Sequence, residues 1–202
     1  MISLRMKPAV LALVVCATLT TIALVINAEA SDIKGLDAAG PAAEHADKLM
    51  LFGQFVGDWE FDYVGYGRDG RKFNGQGEWH FGWVLEGRAV QDTWIIPRRV
   101  ERNKPGASAG EYGTTVRFYD PKLDAWRVVW TGPLHGELLT FIARKVGDKI
   151  VMEGQDGDGA QARWIFSKIT AQSFYWHSVA SLDGGKTWQL REEMFVRRVK
   201  AE

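Results

Sequence analysis

The sequence has few of the residues that most directly identify a protein class. Of its 202 residues, only Cys16 is a cysteine and six are prolines. A single cysteine excludes a disulfide within the chain and a metal site built from several cysteines. Lysine and arginine together number 25, as do aspartate and glutamate, so the formal net charge is zero. This balance excludes the basic excess that is typical of nucleic-acid-binding proteins.

Residues 1–30 predict an export signal. Two basic residues precede an apolar run over 9–26, and Ala-Glu-Ala at 28–30 fits the small-residue pattern that a signal peptidase recognises. We therefore expect cleavage before Ser31 and a secreted or periplasmic protein that has no membrane contact after cleavage. An uncleaved membrane anchor is the alternative, because the apolar run is long.

Aromatic residues and glycine are abundant, with 9 tryptophans and 22 glycines. Between residues 57 and 198, large apolar residues alternate with polar ones, which is the period of a half-buried strand. Pairs such as Asp-Gly and Gly-Asp separate these runs and are typical of tight turns. The pattern predicts an all-β fold, an antiparallel up-and-down barrel of about nine or ten strands. A short helix is predicted over 41–54, before the first strand.

These patterns divide the chain into three parts. The signal peptide covers 1–30, and a small, polar segment at 31–40 is expected to be a flexible leader. A single barrel domain covers 41–202, and this length is sufficient to bury one hydrophobic core. The oligomeric state is not specified by the sequence.

Several motifs resemble those of a known superfamily. Phe-Val-Gly-Asp-Trp at 55–59 resembles the Gly-x-Trp opening of the calycins, the lipocalin-like barrels. The segments 83–92, 118–121, 183–188 and 195–198 resemble an uncharacterised bacterial family of that fold. The resemblance implies a barrel with an internal cavity for a small, mostly apolar ligand. No agreed reaction belongs to that family, so the resemblance transfers no catalytic residue.

The alternation places the tryptophans on the apolar faces of their strands, which we interpret as the barrel interior. Five of them are expected to form the walls of a ligand site: Trp79, Trp83, Trp94, Trp130 and Trp176. Three charged residues, Arg88, Asp92 and Glu192, share these faces. A charge in an apolar interior requires a partner, so these three are expected to pair with one another or to meet the ligand. The pattern leaves open whether the tryptophans line a cavity or fill the barrel.

The last hairpin is predicted to turn at 183–185. In the register that separates an apolar face from a polar one, Leu190, Glu192 and Met194 point inward, opposite Trp176. Trp188 is expected to face inward as well.

Binding of a small hydrophobic molecule is the function that these features favour. The first alternative is an enzyme (an isomerase, cyclase or hydrolase) in which Glu192 or Asp92 is the general acid or base. The second alternative is haem binding, with His80 or His177 as the axial ligand. The four histidines show no metal-ligand spacing, so neither a metal nor a cofactor is predicted. The ligand's identity does not follow from the sequence.

Overall fold

The computed structural model describes residues 33–67, 69–102, 104–107 and 110–200. In these ranges the helices are α1 (Ala46–Gly53) and α2 (Arg99–Arg102), and the strands are β1 (Asp37–Ala38), β2 (Gly57–Tyr66), β3 (Lys72–Val84), β4 (Ala89–Ile96), β5 (Glu111–Asp120), β6 (Ala125–Gly132), β7 (Glu137–Val146), β8 (Lys149–Gln155), β9 (Gln161–Ser167), β10 (Ser173–Ser181) and β11 (Gln189–Arg198). The predicted signal peptide lies outside the described residues, so its cleavage stays a prediction. No helix in the described part of the chain is long and apolar enough to cross a membrane.

Ten strands, β2 to β11, form a closed antiparallel barrel. Each strand pairs with the next one along the chain, and β11 returns to pair with β2, where Met194 lies opposite Tyr63. Large apolar residues alternate along the strands, so each strand buries one face in the barrel. The predicted all-β, up-and-down barrel with a short helix before it is confirmed.

The segment before the barrel is more ordered than its composition suggests. Strand β1 lies within the predicted leader and pairs with β3, where Asp37 is opposite Val84. The helix α1 is shorter than the predicted range 41–54, because His45 has a φ of 60° and interrupts the helical path before residue 46. The amide of Ala42 instead donates to the carbonyl of Gly87 at 3.1 Å.

The helix α1 closes one end of the barrel. Phe52 and Phe55 are buried, and the Phe52 ring packs on Trp126 with a centroid distance of 4.9 Å. The ring of Phe55 contacts Phe174 at 4.8 Å and Phe166 at 5.1 Å. We call this the closed end. The opposite end, where the loops after β2, β4, β6, β8 and β10 lie, is called the mouth.

A β-bulge corrects the predicted register of the last hairpin. Ser178 pairs with Glu192, but Val179 pairs with Leu190, so Arg191 is an extra residue in β11. One extra residue exchanges the faces of the strand. Glu192 therefore points inward as predicted, whereas the prediction that Leu190 also does is wrong.

Trp188 is a second exception to the predicted pattern, because it does not face the interior. The guanidinium of Arg163 lies 4.1 Å from the centre of its ring, and the indole N–H donates to the carbonyl of Gly185 at 3.1 Å. Arg163 is on the outer face of β9, where it also pairs with Glu153. Trp188 thus covers the outside of the sheet.

Candidate ligand-binding site at the barrel mouth

A fully buried ion pair lies towards the closed end of the interior. The Asp92 carboxylate accepts a hydrogen bond from Arg117 at 2.5 Å and another from the backbone N–H of Thr115 at 3.0 Å. Both charged side chains are almost completely inaccessible to solvent. The guanidinium also lies 5.2 Å from the centre of the Phe52 ring. Asp92 is therefore neutralised within the core and is separated from solvent.

Arg88 does not take part in this pair, and the prediction that it lies inside the barrel is wrong. Its side chain is 58% exposed and forms an ion pair with Glu86 in the turn between β3 and β4. Gly87 in this turn has a φ of 79°, a conformation that favours glycine. Because β4 begins only at Ala89, the alternation that holds for Val90 and Asp92 does not extend back to Arg88.

The five predicted wall tryptophans lie at two different levels. Trp79 and Trp83 belong to the packed core near the closed end, where they are 3% and 8% exposed. A Cβ atom on Gly53 of α1 would lie only 2.3 Å from the Trp83 ring, which shows how closely α1 packs on it. The Trp79 ring contacts Phe166 at 5.7 Å. At this level the aromatic rings fill the barrel rather than line a cavity.

The other three wall tryptophans belong to an aromatic arc that extends from the core towards the mouth. Trp130 and Trp176 are 7% and 4% exposed, and Trp176 joins the arc to the core through its contact with Trp79 at 6.4 Å. Its members, in order around the barrel, are Tyr63, Trp94, Trp130, Trp164 and Trp176. Successive ring centroids are 6.1, 6.0, 6.2 and 5.6 Å apart, and successive planes meet at 66° to 82°. Tyr63, Trp94 and Trp164 remain partly accessible to solvent. The arc therefore lies between the filled core and the mouth, and we call the part of the interior beside it the cup.

Tyr63 and Trp164 were not among the predicted wall residues, although the signal for both is present. Tyr63 follows Trp59 and Phe61 at the two-residue spacing that marks the inner face of β2. Trp164 precedes Phe166 by the same spacing on β9. Strand alternation alone was sufficient to place both side chains in the interior, but it did not predict how far each lies from the mouth.

Glu192 is the one acidic side chain of the predicted set that reaches this cup. Its neighbours on the inner face are Ser178 across the strand pair and Met194 along β11. The residue is partly exposed, yet its carboxyl is strongly desolvated. Desolvation raises the pKa of Glu192 from 4.5 to about 7, a hydrogen bond with Tyr63 opposes the shift, and the charge of Glu137 adds to it.

Tyr63 is the hydrogen-bond donor to this carboxyl. Burial raises the pKa of the Tyr63 hydroxyl well above its usual value of 10, and the negative charge of Glu192 and the hydrogen bond to it act in the same direction. The phenol therefore stays protonated at neutral pH, and its O–H is the donor in the hydrogen bond with Glu192. No lysine, arginine or histidine among the described residues contributes to the shift at Glu192.

The rim of the mouth is fixed by a second carboxylate. Glu111 of β5 accepts hydrogen bonds from its neighbour's amide, from the amide of Leu134 at 3.3 Å and from His135 Nδ1 at 2.9 Å. Burial alone would raise the pKa of Glu111, but these hydrogen bonds hold it below its usual value. Glu137, the first residue of β7, accepts a hydrogen bond from the Trp130 indole at 3.2 Å. The loop between β6 and β7 is thereby attached to the wall of the cup.

The histidines proposed as axial ligands both lie on the outer face of the barrel. His80 contacts Asp58 at 2.6 Å and Glu78 at 3.1 Å. The His177 ring stacks on Tyr175 with a centroid distance of 5.1 Å. Burial, together with the charge of Lys149, lowers the pKa of His177. A haem inside the barrel would find neither ring directed towards it.

Two further features bear on where a metal ion or a ligand could bind. Among the described residues no group of three or more histidine, cysteine, aspartate or glutamate side chains is arranged to hold a metal ion. A groove of about 1070 Å³ lies at the closed end, between α1 and the β5–β6 and β7–β8 turns, and the buried residues Trp126, Ala143 and Ile150 form part of its lining. Its walls carry both acidic and basic side chains, including the exposed ion pair of Lys48 with Asp124.

Comparison with known proteins identifies the fold. No protein-family model and no curated protein sequence matches the chain. The S-type phycobiliprotein lyase CPES from Guillardia theta has a similar structure, with a TM-score of 0.51 and 11% identity over 76% of this chain and 93% of that one. Rv2717c from M. tuberculosis gives a TM-score of 0.49 and 13% identity over 76% of this chain and 98% of that one. The first likeness and the closed ten-stranded sheet together show the fold, a closed antiparallel β-barrel similar to that of the lyase.

Proposed function

We propose that the protein is exported and binds a small, mostly apolar molecule in the cup at the barrel mouth. The observation that carries the proposal is Glu192, a desolvated carboxyl with no cationic partner among the described residues, beside partly exposed aromatic rings. An unpaired charge in such surroundings is unfavourable in the free protein, and a bound molecule would supply the missing partner. The same rings offer apolar surface for its body.

The β-barrel fold is compatible with this proposal, and the packing of its interior indicates where the ligand would bind. The interior near the closed end is filled by aromatic rings and by the pair of Asp92 with Arg117. The ligand is therefore bound at the mouth, by Trp94, Trp130, Trp164 and Trp176, rather than beside Trp79 and Trp83. The assignment to the bacterial family that the motifs resemble stays a prediction.

A fluorescence titration with the neutral dye Nile red tests the proposal. We expect saturable binding with one dye per protein, and at least a tenfold weaker affinity after Trp164→Leu. Trp188→Leu is the matched control, because Trp188 lies on the outer face, and it should leave the affinity within twofold. Equal loss in both variants, or no saturable binding to the parent protein, would contradict the proposed site.

A general acid–base enzyme is the second candidate, and one observation favours it. A carboxyl group whose pKa is about 7 is divided between its acid and base forms at neutral pH, which is the property that proton transfer requires. Asp92, the other candidate, is buried in an ion pair and has no path to solvent. In a screen of p-nitrophenyl esters, an enzymatic role predicts turnover that Glu192→Gln abolishes while Nile red binding is retained.

A further inference from the structure

We infer that the molecule bound at the mouth is an organic cation, an alkylated or protonated amine with an apolar body. This inference rests on the proposed function and assigns the chemical class of its ligand. It follows from the sign of the charges in the cup and from the orientation of the rings around it.

In the part of the chain that the structure describes, no positive charge acts on Glu192. On β2, the Tyr63 hydroxyl faces the carboxyl as a neutral donor, and on β7, Glu137 adds a second negative charge. The inward side chains of β10 and β11 beside it, Ser178 and Met194, carry no charge. The deeper Arg117 is already neutralised by Asp92. The cup therefore has a negative potential, which attracts a cation and repels an anion.

The aromatic rings add to this potential. Tryptophan and tyrosine rings carry negative charge on their faces, and a cation within about 6 Å of a ring centre is stabilised by it. Trp94 and Trp130 meet at 82°, and Trp130 and Trp164 meet at 74°. Neighbouring rings of the arc are therefore turned relative to one another, so a group lying against the arc meets ring faces as well as ring edges. Aromatic faces are the surfaces by which proteins recognise alkylated ammonium groups.

A neutral ligand is expected to bind in the cup less tightly than a cation. An uncharged molecule would leave the carboxylate desolvated and would cover it further, which is unfavourable. An ammonium group instead offsets that charge, and its alkyl groups contact the rings. Titration of Glu192 then couples to binding, because only its ionised form pairs with the cation and the cation in turn favours the ionised form.

Three probes with the same eight-carbon chain test the inference: octyltrimethylammonium, octanol and octanoate. Tryptophan fluorescence at pH 8 reports binding below the concentrations at which micelles form. We expect octyltrimethylammonium to bind at least tenfold more tightly than octanol, and octanoate to bind least. The affinity for the cation should rise at least tenfold between pH 5 and pH 8, because its own charge does not change.

Glu192→Gln is the decisive variant, since glutamine keeps the shape and removes the charge. It should reduce the preference for the cation over octanol to less than threefold and abolish the pH dependence. Glu153→Gln, an exposed acid on the outer face that pairs with Arg163, is the control and should change neither property.

The outcomes separate the two levels of the proposal. If octanol and octyltrimethylammonium bind equally to the parent protein, or octanoate binds best, the ligand is not a cation, although the mouth still binds apolar molecules. If Glu153→Gln reduces the preference as much as Glu192→Gln does, the effect belongs to the overall charge, and the inference is overturned. If none of the three probes and no Nile red binds, the proposed function itself fails.

Discussion

Two carboxyl groups of the interior, Asp92 and Glu192, differ in the partner that each has found. Asp92 receives a guanidinium and a backbone N–H and is fully buried. Glu192 receives only the Tyr63 hydroxyl and lies where solvent still reaches part of the residue. A buried charge requires a partner that compensates for its desolvation, and Asp92 has one in Arg117. The first acid is thus a part of the core, and the second is the candidate ligand contact.

Replacing Glu192 with glutamine should stabilise the free protein at alkaline pH. Its pKa is about 7 in the folded protein and 4.5 ordinarily, so the folded state binds its proton more tightly than the unfolded state. The resulting stabilisation is complete below pH 4.5 and is lost as the pH rises through 7. We expect the free energy of unfolding of the parent protein to fall by roughly 1–3 kcal/mol over this range, less than the full shift because the residue is partly exposed.

Urea titrations at pH 5 and pH 8 measure this difference. The loss should be absent in Glu192→Gln, which should unfold at a higher urea concentration than the parent protein at pH 8. An unchanged pH dependence in the variant would mean that other groups cause it. A destabilised variant at pH 8 would indicate an ionised, paired Glu192.

Breaking the Asp92–Arg117 pair should be strongly destabilising. Asp92→Asn leaves the Arg117 charge buried without compensation, which costs about 3–5 kcal/mol. Arg117→Met should cost a similar amount, and the double variant should lose less than the sum of the two because neither charge remains. Arg88→Ala is the control, and as an exposed residue it should change the free energy of unfolding by less than about 0.5 kcal/mol. Urea titration of all four variants measures these changes in the free energy of unfolding. If the losses of the two single variants add up in the double variant, the pair is not energetically coupled.

The sequence predicted both acids in the interior but not the partner of either. Alternation along β4 and β11 is a local property, and it assigned the faces of Asp92 and Glu192 correctly. The partner Arg117 lies on β5, where Gly113 and Thr115 precede it on the same face and no apolar pattern marks that face as internal. Which residue meets Asp92 depends on the register between two strands, and a single strand does not encode it.

At the scale of elements, the bulge in β11 also shows that alternation along a single strand does not predict how that strand pairs with its neighbour. Regular alternation assigned Leu190 and Glu192 to one face, and it failed at the residue where the ladder is irregular. Arg191 and its neighbours carry no glycine or proline that would announce a bulge. The alternation was correct from Glu192 to Val196, and this part of the strand is the one that positions the candidate site.

The helix α1 is the element that packs into one end of the barrel. Phe52 is completely buried against Trp126, Phe166 and the Arg117 guanidinium. Phe52→Ala would leave a cavity at this contact, so we expect a loss of about 3–5 kcal/mol. Met50 on the same helix is 45% exposed, and Met50→Ala should cost less than about 1 kcal/mol.

Thermal or urea unfolding of the two α1 variants checks this difference, and Nile red binding adds a second reading. Because the proposed site is at the opposite end, Phe52→Ala should retain its dye affinity within threefold under conditions where it is folded. A dye site that disappears with Phe52, while Trp164→Leu leaves it intact, would place the ligand at the closed end.

The barrel as a whole is divided along its axis into an end that α1 fills and a mouth. Fold class, strand number and the inward position of most tryptophans followed from the two-residue period, because a barrel repeats one simple rule on every strand. The division into a filled end and a mouth did not follow, because it depends on where α1 packs. That contact joins Phe52 and Phe55 to residues far away in the sequence, such as Trp126 and Phe174.

Export of the protein stays a prediction, and the position of signal cleavage tests it. We expect signal cleavage between Ala30 and Ser31, because Ala-Glu-Ala at 28–30 ends the apolar run. The mature protein would then contain no cysteine, since Cys16 is the only one. Its stability would rest on packing alone, and a reductant should not change its urea midpoint. N-terminal sequencing of the exported protein tests the cleavage site, and Ala30→Arg, which places a large charged residue before the cut, should block it. A parent protein that begins at Met1 and sediments with membranes would instead establish the segment as an anchor.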